Sequence, residues 1–193
     1  NRSVPDVAEK RKNWNGLISG FSASDLVFLD ESGCNTDMTR RYAYSFGGNR
    51  AVDSTPLSKP KNTTILSSIQ LNGTLHYTTF SGGTTVERFK QYLEADLLPH
   101  LNSDSVLVMD NMKSHHAKAV KELLDSSGVR YIYLPPYSPD LNPIEKLWSK
   151  VKSLLRKFKA RSLDALPNAI QHAFQNVSPS DCSGWFCSCR YPL

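Results

Sequence analysis

The chain has 193 residues, a formal net charge of +5, and 39% hydrophobic and 21% charged residues. That length and balance describe a soluble globular domain able to bury a core, and no apolar run reaches the roughly 18 residues of a membrane span. The excess of Lys and Arg favours a polyanionic partner such as nucleic acid.

The opening NRSVPDVAEKRKNWN is polar and charged. Residues 1–20 read as a linker from an upstream module, residues 21–177 as the main domain and residues 178–193 as a tail. DLVFLD, Asp25 to Asp30, is a short apolar run that predicts a buried strand with Asp30 at its tip. Residues 35–53 are irregular, with a short strand expected over Tyr42–Ser45. Thr63–Leu71 and Thr74–Phe80 predict two strands joined by Asn72-Gly73, a hairpin signal in which both turn residues take positive φ. Thr84 to Glu87 reads as a capping box opening a helix to about Pro99, with Phe89, Tyr92, Leu93 and Leu97 on one face.

SVLVMD, Ser105 to Asp110, repeats the first pattern of an apolar strand ending in an acid. A helix over Ser114–Ser126 follows, stopped by Gly128, and then a third such strand over Val129–Leu134. The chain next enters LPPYSPDLNPIEKLW, where Pro135, Pro136, Pro139 and Pro143 brace a corner. From Pro143 to Lys159, apolar residues recur at helical spacing, and a last helix covers Ser162–Gln175, its start blurred by Pro167. A hairpin followed by alternating helices and strands predicts a mixed α/β sheet with helices on its faces, whose ligands gather at the carboxyl ends of strands.

Asp30 and Asp110 both fall at such ends. Either alone fits the ordinary preference of Asp for turns, but as a pair on like strands they would stand side by side. Glu145 has two readings. Behind an Asn142 cap with Pro143 at the first helical position, it can close a capping box. In a rigid proline corner it can equally serve as a metal ligand. Three converging carboxylates repel one another unless cations lie between them, and all-oxygen ligation suits Mg²⁺ or Mn²⁺. Two such ions about 3.5–4 Å apart suit phosphoryl transfer. From Glu145 to Arg161, seven Lys and Arg stand against one acid, which makes a basic helix for a phosphate backbone or a solvated face. Glu31 follows Asp30 and should face the other side of the strand. Asp140 shapes the corner. Cys34, Cys182, Cys187 and Cys189 lack zinc-site spacing and read as free thiols.

FLDESG around Asp30, VMDNMKSHH around Asp110 and LPPYSPDLNPIEKLW around Glu145 resemble the DDE transposases of the Tc/mariner superfamily, most closely its bacterial insertion-sequence 630 branch. The 34 residues between Asp110 and Glu145 and the closing SGWFCSCRYP are also similar to that branch. The resemblance implies a ribonuclease H-like, integrase-type fold with a five-stranded sheet, and Asp30, Asp110 and Glu145 as catalytic residues and metal ligands. It implies two Mg²⁺ ions, with Mn²⁺ able to substitute. The implied reaction is hydrolysis at transposon ends, then attack of the freed 3′-hydroxyl on target DNA, usually at TA, by a cut-and-paste route. Implied partners are double-stranded DNA, both terminal inverted repeats and target, and a second copy of the chain. The implied setting is the bacterial cytoplasm, on the nucleoid. Asn111 and His115 match the pattern as supports of the site or as DNA contacts. Arg40, Arg41, Lys146, Lys150, Lys152 and Arg156 are further candidates for DNA contact. A nuclease that only hydrolyses, or a transposase-derived DNA-binding protein without catalysis, are the alternatives.

Overall fold

The computed structural model describes residues 5–40, 42–54 and 61–191. The chain runs through α1 (Pro5–Ile18), β1 (Leu26–Cys34), β2 (Thr63–Gln70), β3 (Leu75–Ser81), α2 (Val86–Tyr92), β4 (Val106–Met109), α3 (Lys118–Ser127), β5 (Arg130–Tyr133), α4 (Ile144–Phe158), α5 (Leu166–Gln175) and α6 (Pro179–Ser188). Its five strands form one mixed sheet in the order β3-β2-β1-β4-β5, with β1 antiparallel to β2 and parallel to β4. This is the mixed α/β architecture expected.

β4 and the first four residues of β1, Leu26 to Leu29, are apolar without a break because both faces of the sheet are covered there. Leu26 and Phe28 of β1, with Val106 and Val108 of β4, face a core built with α4, α5 and α6. Val27, Leu29, Leu107 and Met109 face a second core built with α2 and α3. All eight are at most 1% exposed, so a one-residue slip of register would exchange every one of these contacts between two differently shaped cores.

The hairpin turns differently from expectation. Gly73 alone takes positive φ, at 90°, and the turn closes through Gly73 N–H to the Gln70 carbonyl at 3.1 Å. Asn72 uses its side chain instead, accepting from Thr74 N–H at 2.9 Å, which lengthens the loop by one residue. A Cβ on Gly73 would also meet Pro179 Cα at 3.0 Å, so the turn seats against the start of α6.

Residues 42–45 form no strand. Tyr42 and Tyr44 are 89% and 106% exposed, with no neighbouring strand to pair with, and a short 3₁₀ turn follows at Phe46–Gly48. α2 is capped by Thr85, not Thr84, through Arg88 N–H at 3.3 Å; it continues as a π turn over Leu93–Leu97 and a 3₁₀ turn to His100. α3 begins later than expected because residues 112–117 close two turns first, His115 N–H to Met112 and Ala117 N–H to Ser114. It ends at Gly128, φ 73°, as read. α5 starts only at Leu166, since Pro167 is tolerated in a first turn and not further in.

The first and last of the described elements join the core. Residues 5–18, read within a linker, are helical, and Trp14 is 3% exposed in the first core. The stretch read as a tail contains α6, whose capping box is Ser178 with Asp181. Phe186 and Tyr191 pack on Phe28 with ring centroids 5.3 and 5.0 Å away, and Tyr191 Oη donates to the Leu141 carbonyl at 2.5 Å. The C-terminal segment thereby fixes the proline corner from beneath.

Candidate active site

The register of β1 against β4 sets the first two acids. Leu29 is paired with Met109, the last residue of β4, so Asp30 and Asp110 are the next positions on adjacent parallel strands. Such strands lie about 4.8 Å apart. Asp30 is not at the tip of β1, which continues to Cys34 against β2; it is the first residue past the end of β4. The sheet thus opens on one side at Asp30 while staying paired on the other.

The third acid comes through the corner. Leu134 N–H donates to the Met109 carbonyl at 2.8 Å, which carries β5's pairing to the edge of the site. Asn111 Nδ2 donates to the Leu134 carbonyl at 2.5 Å. Tyr137 then takes φ 56°, a strained value for a side-chain-bearing residue and one that concentrates at functional sites. Arg11 of α1 clamps the corner from outside, bonding Asp140 at 2.6 and 3.1 Å and Ser138 at 2.5 Å. Asp140 therefore shapes the corner, as read, and stays out of the site.

The corner delivers α4 with Ile144, Leu147, Trp148, Val151 and Leu155 buried on one stripe. Glu145 is beside that stripe and lines an open cleft of about 630 Å³ together with Asp30, Asp110, Asn142, Trp148 and Lys152. The capping-box reading of Glu145 does not hold. Asn142 N–H donates to the Pro139 carbonyl at 3.2 Å, and no bond from it to the Glu145 carboxylate occurs among the described residues. The Asn142 side-chain oxygen is buried with no partner among them. The glutamate is left to the cleft.

Each aspartate is held by the protein's own donors. Asp30 accepts Trp148 Nε1–H at 3.1 Å and Glu31 N–H at 2.7 Å. Burial, and repulsion from Asp110 and Glu145, still push it up to about 7. Asp110 accepts Met112 N–H at 2.9 Å and contacts His115 Nδ1 at 2.8 Å; burial opposes its charge, but these partners hold it below the ordinary carboxylate value. Glu145 is raised by burial and by Asp110 despite the pull of Lys152.

His115 is fully buried and stacked on Phe89, centroids 4.3 Å apart. Burial disfavours its charge, yet Asp110 and Glu31 raise it to about 9. Its Nε2 lies 3.7 Å from Glu31 Oε2, close enough for attraction and too far for a hydrogen bond. Its ring contacts Asp110 and is withdrawn from solvent, the surroundings that the first of its two readings requires. Glu31 meets His115 on the α2 side of the sheet, the face that alternation assigned to it.

The remaining candidates separate. Lys152 lines the acid cleft, and Arg40 and Arg156 line a second groove further along α4. Lys146 is exposed, Lys150 is paired with Asp181 at 2.6 Å, and Arg41 lies outside the described residues. The four cysteines are free. Trp148 and Lys152 belong to the cleft for a reason visible in the sequence: they follow Glu145 by three and seven positions, on one helical flank.

As the side chains stand, no group of three His, Cys, Asp or Glu among the described residues is close enough to hold a metal ion. The donor set nevertheless fits a hard divalent cation. Three carboxylates face one cleft, His115 and Lys152 offset their mutual repulsion only in part so that Asp30 and Glu145 stay raised, and the Asn142 oxygen is an unused acceptor beside them.

Comparison with known proteins bears on the fold and the family. The structure superposes on a Mos1 mariner paired-end complex with Mn at a TM-score of 0.82 and 21% identity, over 99% of this chain and 62% of that one. It matches the isolated catalytic domain of Mos1 transposase at 0.71 and 17% identity, over 94% of this chain and 86% of that one. The fold is therefore ribonuclease H-like. The Tc1 transposase of Caenorhabditis elegans is 30% identical over 83 residues, and the Tcb2 transposase of Caenorhabditis briggsae 33% identical over 75. Those stretches span 43% and 39% of this chain but only 30% and 28% of the two relatives. Residues 25–167 match the family model of the DDE superfamily endonuclease, so the chain belongs to that superfamily.

Proposed function

We propose that this chain is the catalytic domain of a DNA transposase, and that Asp30, Asp110 and Glu145 are its catalytic, metal-holding carboxylates. The observation that carries the reading is the register: Asp30 and Asp110 succeed the paired residues Leu29 and Met109 and face Glu145 across one cleft. Bound Mg²⁺ or Mn²⁺, two ions in the full reading, would activate the attacking oxygen and stabilise the leaving one.

The chain's own residues do the rest. Trp148 and the Glu31 N–H fix the orientation of Asp30, and His115 and the Met112 N–H fix that of Asp110. Lys152 puts a positive charge in the cleft beside Glu145, where a DNA phosphate would enter. The open shape of the cleft suits a nucleic-acid strand better than a small molecule. The substrates in this reading are transposon ends and target DNA, cut by hydrolysis and joined by the freed 3′-hydroxyl, at TA by analogy with the family. A homodimer on DNA, bacterial cytoplasm and nucleoid, and the insertion-sequence 630 branch complete the proposal. The wording of the motifs around Asp110 and Glu145 supports the branch.

The test is a nicking and joining assay with Mg²⁺ or Mn²⁺ on duplex carrying the element's ends. The wild-type chain should yield cut and joined strands, and Asp110→Ala should yield neither. Cut strands without joining would leave a nuclease that only hydrolyses. Equal products from wild type and Asp110→Ala would end the catalytic reading.

A further inference from the structure

The cations that follow Glu145 fall into two sets. Lys150 is held by Asp181 at 2.6 Å and Lys159 by Asp53 at 2.7 Å. Arg161 donates to the carbonyls of Thr36 and Met38, both at 3.2 Å, and of Ser54 at 3.4 Å. These bonds staple residues 36–54 to the end of α4, which brings Arg40 and Tyr42 opposite Arg156 and Lys157. With Ser149 and Ser153 they line an open groove of about 460 Å³. Arg40, Arg156 and Lys157 have no salt bridge or hydrogen bond among the described residues. Three unpaired cations around one groove repel one another until an anion lies between them. Two hydroxyls add neutral donors, and Tyr42, 89% exposed, offers a flat aromatic face.

We infer that this groove is a second DNA site, separate from the carboxylate cleft, which grips backbone phosphates of the same duplex through Arg40, Arg156 and Lys157, with Tyr42 packed on the adjoining nucleotide. The inference rests on the reading that the cleft acts on DNA. α4 joins the two places: Glu145, Trp148 and Lys152 line the cleft, and Ser149, Ser153 and Arg156 on the neighbouring flank line the groove. At 1.5 Å per residue Arg156 is about 16 Å along the axis from Glu145. For a duplex lying along α4 that is about five base-pair steps of 3.4 Å. The gripped phosphates are therefore about five nucleotides from the reacting one.

The test is fluorescence anisotropy of the 193-residue chain on a labelled duplex across a salt series. The triple variant Arg40→Ala/Arg156→Ala/Lys157→Ala should weaken binding and flatten the slope of log K against log salt by about 2 to 3, since each neutralised phosphate contributes about 0.9. Tyr42→Ala should weaken binding at an unchanged slope, and Lys150→Ala should leave the slope as it is. Methylphosphonates placed about five nucleotides from the cut position should weaken the wild type and not the triple variant. A folded triple variant with wild-type affinity and slope, on DNA that the wild type still cuts, overturns the groove and leaves the cleft untouched. A wild type that neither binds nor cuts duplex overturns the reading of the cleft. Poly-glutamate that displaces duplex at equal charge would overturn the assignment to nucleic acid.

Discussion

Trp148 donates its indole N–H to Asp30 Oδ2 at 3.1 Å, joining residues 118 positions apart in a buried contact. The bond occupies one oxygen of an aspartate that burial and two neighbouring acids already raise to about 7. Trp148→Phe keeps a ring on the core stripe and removes the donor. The expected cost is about 1–3 kcal/mol, the penalty for stranding a buried acceptor, read from the urea midpoint at constant slope. Cleavage should fall about tenfold or more, because the supports of metal-holding carboxylates typically carry that much. Full activity at wild-type stability would remove Trp148 from the site.

Metal binding should be visible as stability. A cation that binds only the folded chain adds about 2.7 kcal/mol at a hundred times its Kd, and it relieves repulsion among Asp30, Asp110 and Glu145. Mn²⁺ should therefore raise the Tm of the wild type and leave that of Asp110→Asn or Glu145→Gln almost unmoved. Without metal, Asp30→Asn should be at least as stable as the wild type, since it discards a buried charge facing two others. Thermal unfolding with and without Mn²⁺ checks both statements, and an equal rise in all four proteins would count against ligation by these acids.

His115 should behave as a support and not as a DNA contact. It is fully buried between Phe89 and Asp110, so His115→Ala leaves both a cavity and an aspartate without its strongest donor. Destabilisation of about 2–4 kcal/mol is expected, with loss of cleavage. His115→Gln, which restores an N–H donor, should recover part of each. The salt dependence of DNA binding should stay at the wild-type slope in both variants, and a shallower slope would return His115 to the DNA surface.

The acids were legible because their signals are local. Two apolar runs ending in Asp, and a glutamate in the first turn after four prolines, carry their own geometry. What escaped the sequence depends on which of several partners a group finds once the chain is folded, most of them far along it. Whether Asn142 and Glu145 close a capping box is decided by the Pro139 carbonyl, which takes the Asn142 N–H. His115 reads equally as a support of the site or as a DNA contact until Phe89 covers it. Residues 5–18 lack a strong apolar stripe, and their place is set by Trp14 in the core, with Ile18 packed against it, and by Arg11 on Asp140. The basic run shows its charge but not which cations are already used; Lys150, Lys159 and Arg161 are, through residues that lie 31 to 125 positions away.

Asp181 links that division to pH. Lys150, and then the Ser178 N–H that it caps, hold its carboxyl down to about 2. A carboxylate depressed on folding stabilises the folded state above its ordinary value near about 4, and that contribution is lost as pH falls. For Asp181 the loss runs from about pH 4 to about pH 2. The partly exposed pair with Lys150 contributes no more than about 1 kcal/mol, and the capping box of α6 about as much again. Asp181→Asn should therefore unfold at lower urea at pH 7, and its stability should fall less steeply than the wild type's between pH 4 and pH 2. Lys150→Gln should reproduce only the share of the ion pair and leave that of the capping box. Curves that run parallel for wild type and Asp181→Asn through that window would show that Asp181 adds nothing to the anchoring of α6 by its buried residues.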